Sequence, residues 1–154
     1  MKSTKKTPTS FTLCDTCDRM LPETSFAKIY KRKENICKPC SNSKGWVYLV
    51  HNPAWPRVYK IGMSTNIKNR LNTYVSEAPY GDTKSVYVMP TDFYVEVERR
   101  LLFHFDANRI ISQRGSKREW LERIVDHQEI VDSMIYFHEE EKALYELNYT
   151  DSYD

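Results

Sequence analysis

Trp46-Val47-Tyr48-Leu49-Val50 is an unbroken run of β-forming residues, and a second such run, Val58-Tyr59-Lys60-Ile61-Gly62, follows the breaker His51-Asn52-Pro53-Ala54-Trp55-Pro56. Two short runs joined by a Pro-bearing loop predict a β-hairpin. Ser64 or Thr65 is placed to cap a helix reaching about Val75, with Ile67, Leu71 and Tyr74 at helical spacing. Pro79-Tyr80-Gly81-Asp82 reads as a turn, and Lys84–Met89 alternates as a third strand. Asp92 can cap a further helix through about Phe105, with Val97, Leu101 and Phe105 on one stripe. From Trp120 onward, apolar residues at 120, 121, 124, 131, 134 and 135 predict a long C-terminal helix. The order β-β-α-β-α-α describes an α+β domain, a small three-stranded antiparallel sheet flanked by helices.

The first 44 residues follow a different rule. All four cysteines lie in Cys14-Asp15-Thr16-Cys17 and Cys37-Lys38-Pro39-Cys40, two CxxC pairs separated by nineteen residues. That spacing fits a closed, four-thiolate structural zinc site, because each pair turns the chain so that both sulfurs face one centre. A disulfide framework would need an oxidising compartment, and a thioredoxin-type redox site would need a single CxxC on a βαβ unit. A segment of about 40 residues buries too little core to fold alone, so the metal is expected to supply its folding energy. The organisation expected is a disordered basic N-terminus over 1–10, a zinc-binding module over 11–44, a main domain over 45–125 and a C-terminal helix with an acidic tail over 126–154. Ser41-Asn42-Ser43-Lys44-Gly45 reads as a polar linker between the first two units.

Composition and charge narrow the class. The chain has 154 residues, 40% hydrophobic and 29% charged, a globular balance. No apolar run approaches the ~18 residues of a membrane span, and no apolar stretch follows the basic start Met1–Lys6. The expectation is a soluble intracellular protein with no membrane partner. Net charge is only +2, but residues 1–44 carry ten Lys/Arg against four Asp/Glu, residues 45–125 twelve against eight, and residues 126–154 one against nine. Four-fifths of the chain could meet a polyanion and the tail would repel one. Lys31, Arg32 and Lys33, with Lys28 and Lys38 nearby, and the loop carrying Arg114, Lys117 and Arg118 beside Arg109, are the expected nucleic-acid contacts.

Residues 11–42, with the loop Pro22-Glu23-Thr24-Ser25-Phe26 between the cysteine pairs, resemble the treble-clef zinc fingers appended to phage and mobile-element nucleases. The main domain, through Trp46-Val47-Tyr48, Tyr59-Lys60-Ile61-Gly62, Arg70 ten residues after Lys60, Glu98 on the second helix and Glu119-Trp120-Leu121, resembles the GIY-YIG nuclease superfamily, in the phage-type branch with a Lys-Ile-Gly second motif. The resemblance implies a metal-dependent DNA endonuclease acting on phosphodiester bonds, leaving 5′-phosphate and 3′-hydroxyl ends. It also implies roles. Tyr48 would take the proton of the attacking water, helped by a positive neighbour such as Lys60. Lys60, or else the adjacent Tyr59 on the opposite strand face, would fill the second-motif role. Arg70 would grip phosphate oxygens, and Tyr74 lies one turn further on the same helix face. Glu98 would hold Mg²⁺ or Mn²⁺, with Glu119 the competing ligand. Asn108 is the remaining candidate for an asparagine that some members carry late in the domain. His104, between two phenylalanines, reads as a packed or half-exposed side chain and not a catalytic one, and Glu96 faces elsewhere on its helix.

Two rival classes stand beside this reading. One is a nucleic-acid-binding protein of the same fold without cleavage, and the other is a zinc-stabilised protein-interaction module. A His-Asn-His metal nuclease does not fit, since the four histidines, at 51, 104, 127 and 138, show no pairing across a hairpin.

Overall fold

The computed structural model describes residues 10–26 and 35–151, with side chains through residue 148. The expected disorder of the N-terminus and the expected contacts Lys28, Lys31, Arg32 and Lys33 therefore fall outside the described residues, Ser10 apart.

The cysteine-bearing segment opens with a short hairpin, β1 (Phe11–Leu13) paired with β2 (Met20–Pro22). The second CxxC enters α1 (Lys38–Asn42), with Cys37 at its N-cap and Pro39 in its first turn, where a missing N–H costs nothing. The residues read as a linker are thus partly helix, and the Lys44 N–H donates to Asp92 Oδ1 at 2.9 Å, tying this segment to the main domain.

The main domain is α+β, but its sheet has five strands, not the three expected. They are β3 (Gly45–His51), β4 (Tyr59–Ser64), β5 (Lys84–Thr91), β6 (Arg109–Ile111) and β7 (Lys117–Leu121), in the spatial order β5-β3-β4-β7-β6 with every pair antiparallel. The two additional strands are the stretch read as a basic loop. Their charge is the reason they escape a hydrophobic pattern, because edge strands tolerate and use charged residues that block further pairing. Trp120 and Leu121 consequently belong to β7 and not to the C-terminal helix. The opposite edge, β5, accommodates Pro90, as edge strands can.

β3 is central and covered on both faces, which explains its continuous apolar run. Val47 and Leu49 face a core completed by Ile61, Leu121 and the helices α3 (Tyr94–His104) and α4 (Gln128–Asp151), through Val97, Leu101, Ile130 and Met134. Tyr48 and Val50 face the other way, toward Ile67, Leu71 and Tyr74 of α2 (Ile67–Glu77) and the four cysteines. Both helix starts lie slightly beyond their expected caps. Asn66 caps α2 by accepting the Asn69 N–H at 3.3 Å, and Ser64 instead supports Asn66. Thr91, and not Asp92, receives the Phe93 N–H at the start of α3. α4 is held on α3 by Arg100, which pairs with Glu140 and Glu141 and sets its guanidinium 4.5 Å from the Phe137 ring centroid.

Leu101 is fully enclosed between the sheet and α4. Leu101→Ala is expected to lower unfolding free energy by about 2–5 kcal/mol, measured by chemical denaturation, because the surrounding helices and strands cannot close the cavity.

Candidate functional site

Two sites lie against the inner strands. The first is the cysteine cluster. The ligand atoms of Cys14, Cys17, Cys37 and Cys40 all lie within 4.8 Å of one another, and all four residues are buried. The Cys17 and Cys37 sulfurs are 3.9 Å apart, close to the ~3.8 Å edge of a tetrahedron with zinc–sulfur bonds of about 2.3 Å. The two knuckles are clamped by Asp15, whose N–H donates to the Asn35 carbonyl at 2.8 Å while its carboxylate accepts the Asn35 N–H at 2.7 Å. The Cys37 N–H points to Cys14 Sγ at 3.4 Å, and Arg19 Nε donates to Cys17 Sγ at 3.2 Å. Cys17 is drawn down to about 4, first by the hydrogen bond from the Cys40 thiol and then by Arg19 against the cost of burial; Cys40, holding the shared proton, is pushed up. Four converging sulfurs with donors already aimed at two of them can hold a tetrahedral metal such as zinc.

The second site begins with a close approach. Tyr48 on β3 stands opposite Gly62 on β4, and its phenol fills the volume that a Cβ at 62 would occupy. The ring reaches across the bare backbone, and its hydroxyl meets the Tyr74 hydroxyl of α2 at 2.8 Å. Lys60, two residues before Gly62 on the same strand face, places its Nζ 5.1 Å from the Tyr74 ring centroid and 5.7 Å from that of Trp120, its register partner on β7. Arg70 precedes Tyr74 by one turn of α2 and is exposed beside a cleft of ≈ 450 Å³ lined also by Ser64, Asn66 and Tyr94.

Electrostatics connect these groups to α3. Tyr48 titrates well above an ordinary tyrosine, because burial and the Tyr74 hydroxyl penalise its phenolate; Glu98 adds to this and Arg70 opposes it. Arg70 is thus a cation that acts on Tyr48, while Lys60 lies against the ring of its hydrogen-bond partner Tyr74. Glu98 is 9% exposed and pushed up to about 7, mainly by burial and then by the like charge of Glu119, with Lys60 and Arg109 pulling the other way. The two glutamates named as competing ligands therefore act on each other in one place.

The structure brings Tyr48, Lys60, Arg70, Tyr74, Glu98 and Glu119 to one region and separates Tyr59 from it. Tyr59 packs on the opposite sheet face, stacked on His51 with ring centroids 4.6 Å apart and tilted against His127 at 5.7 Å. Asn108 is structural. Its side chain donates to the Glu122 carbonyl and its own carbonyl accepts the Glu122 N–H. His104 packs edge-on against Phe105 and Phe137. On the β6–β7 hairpin, Arg114, Lys117 and Arg118 are exposed, but Lys117 already reaches both Asp106 carboxylate oxygens at 2.7 Å. Sequence reasoning missed the part played by Trp120, read as helical; only its strand register with Lys60 reveals it.

For the cysteine site, the full chain is expected to carry one zinc by metal analysis. Chelation or Cys40→Ser should release it with a clear loss of thermal stability, while Ser10→Ala leaves the metal content unchanged.

No curated protein and no solved structure matches the chain. The T5orf172 domain model matches residues 45–137, well over half of the sequence, from the start of β3 into α4. This overturns the GIY-YIG resemblance, since the T5orf172 domain is a different domain family. The triplets that suggested it have a local cause: Trp-Val-Tyr and Lys-Ile-Gly are what two paired strands need when a tyrosine ring must lie over a glycine. On the match across the whole five-stranded sheet and its helices, the chain belongs to the T5orf172 domain family.

Proposed function

We propose that this protein is a metal-dependent DNA endonuclease in which the cysteine module carries a structural zinc and supports binding of the nucleic acid. The family is one of nuclease-like, DNA-binding domains, which supports the substrate class. The observation that carries the reading is the convergence of two hydrogen-bonded phenols, two cations and a buried carboxylate around the inner strands β3 and β4.

Phosphodiester hydrolysis needs an oriented water, positive charge on the phosphoryl oxygens and stabilisation of the leaving oxygen. Arg70, exposed at the mouth of the cleft, grips the phosphate with its planar fork. Lys60 adds a second positive charge from the strand side. Tyr48 and Tyr74 form a fixed pair of hydroxyls that orient the attacking water. With its phenol held protonated by burial, Tyr48 acts as a positioning donor more readily than as a base.

The residues fit a hard divalent cation. Glu98 is a buried oxygen ligand whose ionised form is penalised by burial and by Glu119, and a cation would relieve both penalties. Glu98 would hold Mg²⁺ or Mn²⁺ with Glu119 beside it, and the ion would supply Lewis-acid charge and a more acidic bound water. Arg114 and Arg118 on the β6–β7 hairpin follow the phosphate backbone.

The first test is relaxation of supercoiled plasmid. Wild type is expected to nick with Mg²⁺ and not without it, and Arg70→Ala and Glu98→Gln should each lose at least about 100-fold. Absence of any cleavage, with salt-sensitive DNA binding retained, would leave a binding protein of the same fold.

Acidity offers a second test. Glu98 must be ionised to hold the cation, so activity should fall about tenfold per unit below pH 7, and raising Mg²⁺ should move the acid limb to lower pH. The metal-free protein behaves conversely. Because the folded pKa lies above the unfolded value of 4.5, Glu98 contributes stability fully below 4.5 and loses it as pH rises through about 7. Glu98→Gln should flatten that decline in thermal melts.

A further inference from the structure

The loop between β3 and β4 presents a tryptophan to solvent in a fixed position. Trp55 is 55% exposed, yet its backbone is held at both ends: its N–H donates to the Asn52 carbonyl at 3.0 Å and its carbonyl accepts the Val58 N–H at 3.1 Å. Asn52 is itself buried, and its side chain anchors the loop. Its amide donates to Asp82 at 3.0 Å and Thr83 at 2.9 Å, and its oxygen accepts the Ala54 N–H at 2.9 Å. Two residues beyond Trp55, the Arg57 carbonyl accepts the Ile124 N–H at 3.0 Å, securing the far side of the loop.

A large apolar ring exposed singly is ordinary on a protein surface. This one is neither loosely mounted nor remote from the chemistry. Its ring stands edge-on to Trp120, centroids 6.2 Å apart, and the Lys60 ammonium lies 5.7 Å from the Trp120 centroid. An exposed aromatic face, a second aromatic bracing it and a cation one ring away are the parts of a base-stacking platform beside a phosphate site. Because the loop is already ordered, stacking costs little conformational entropy.

We propose that Trp55 stacks an unpaired nucleobase, so that the preferred DNA contains a single-stranded, bulged or flapped nucleotide next to the phosphate held at Lys60 and Arg70. This rests on the nucleic-acid reading above and adds to it the class of DNA recognised. In a continuous duplex every base is stacked on its neighbours, so Trp55 gains a partner only where pairing is interrupted.

The test measures fluorescence-anisotropy affinities of the full zinc-loaded chain, without added magnesium, for three labelled probes: a single-stranded thymidine oligonucleotide, a blunt duplex, and the same duplex with one bulged thymidine. Trp55→Ala should weaken binding to the single strand and the bulged duplex by about tenfold and leave the blunt duplex unchanged, while Trp55→Phe retains most of the affinity. An equal loss on all three probes, or no loss on any, overturns the stacking role while leaving DNA binding in place. Failure of wild type to bind every probe overturns both this proposal and the reading on which it rests.

Discussion

Tyr48 occupies the space that a side chain at Gly62 would fill, and the arrangement of the site follows from that substitution of ring for Cβ. The ring lies across the neighbouring strand, so its hydroxyl emerges where α2 can meet it with Tyr74. Lys60 is then fixed by register, one strand-face position away, and Trp120 by the next pairing outward. A strand slip of one residue would turn each of these side chains to the opposite face. The hydrophobic core on the far side guards against this, since Val47, Leu49 and Ile61 would have to leave it.

The cysteine module belongs to the same construction. Its four cysteines pack in one cluster with Tyr48, Val50 and Ile67, so the cysteine-bearing segment and the phenol pair share a wall of β3. A chain that could not fold its first segment without metal would leave that face of the central strand open. The cysteine cluster is therefore part of the support of the larger domain as well as a feature of the smaller one, and the bond from Lys44 to Asp92 fixes their junction.

Much of this was legible in the sequence where residues are specified by burial on two sides or by ligand chemistry. β3 stands out because an inner strand covered on both faces is apolar nearly throughout, β4 because β-forming residues flank its Lys60, and the CxxC pairs because four thiolates meeting at one centre constrain spacing. The β6–β7 hairpin was not legible, because an edge strand such as Lys117-Arg118-Glu119 has no buried alternation to display. Trp120, Leu121 and Ile124 imitate a helical stripe by accident of spacing, although the first two lie on a strand and the helix starts at Gln128. Of the candidate site, side chains fixed by strand alternation could be assigned to a face, which separates Lys60 from Tyr59. The mutual influence of Glu98 and Glu119 could not be foreseen, since it depends on how α3 crosses the strands it covers. The family assignment failed for a related reason: short motifs record a local packing demand that more than one family satisfies.

Arg100 fastens the acidic helix to α3, and its upper turns, His138 to Glu146, border the β5 end of the sheet. The basic β6–β7 hairpin closes the other edge. Among the described residues, charges of opposite sign thus stand at opposite ends of one sheet. A polyanion nearing the hairpin edge meets attraction, and one nearing the acidic turns of α4 meets repulsion. That bias acts over about a Debye length and fades as salt shortens it.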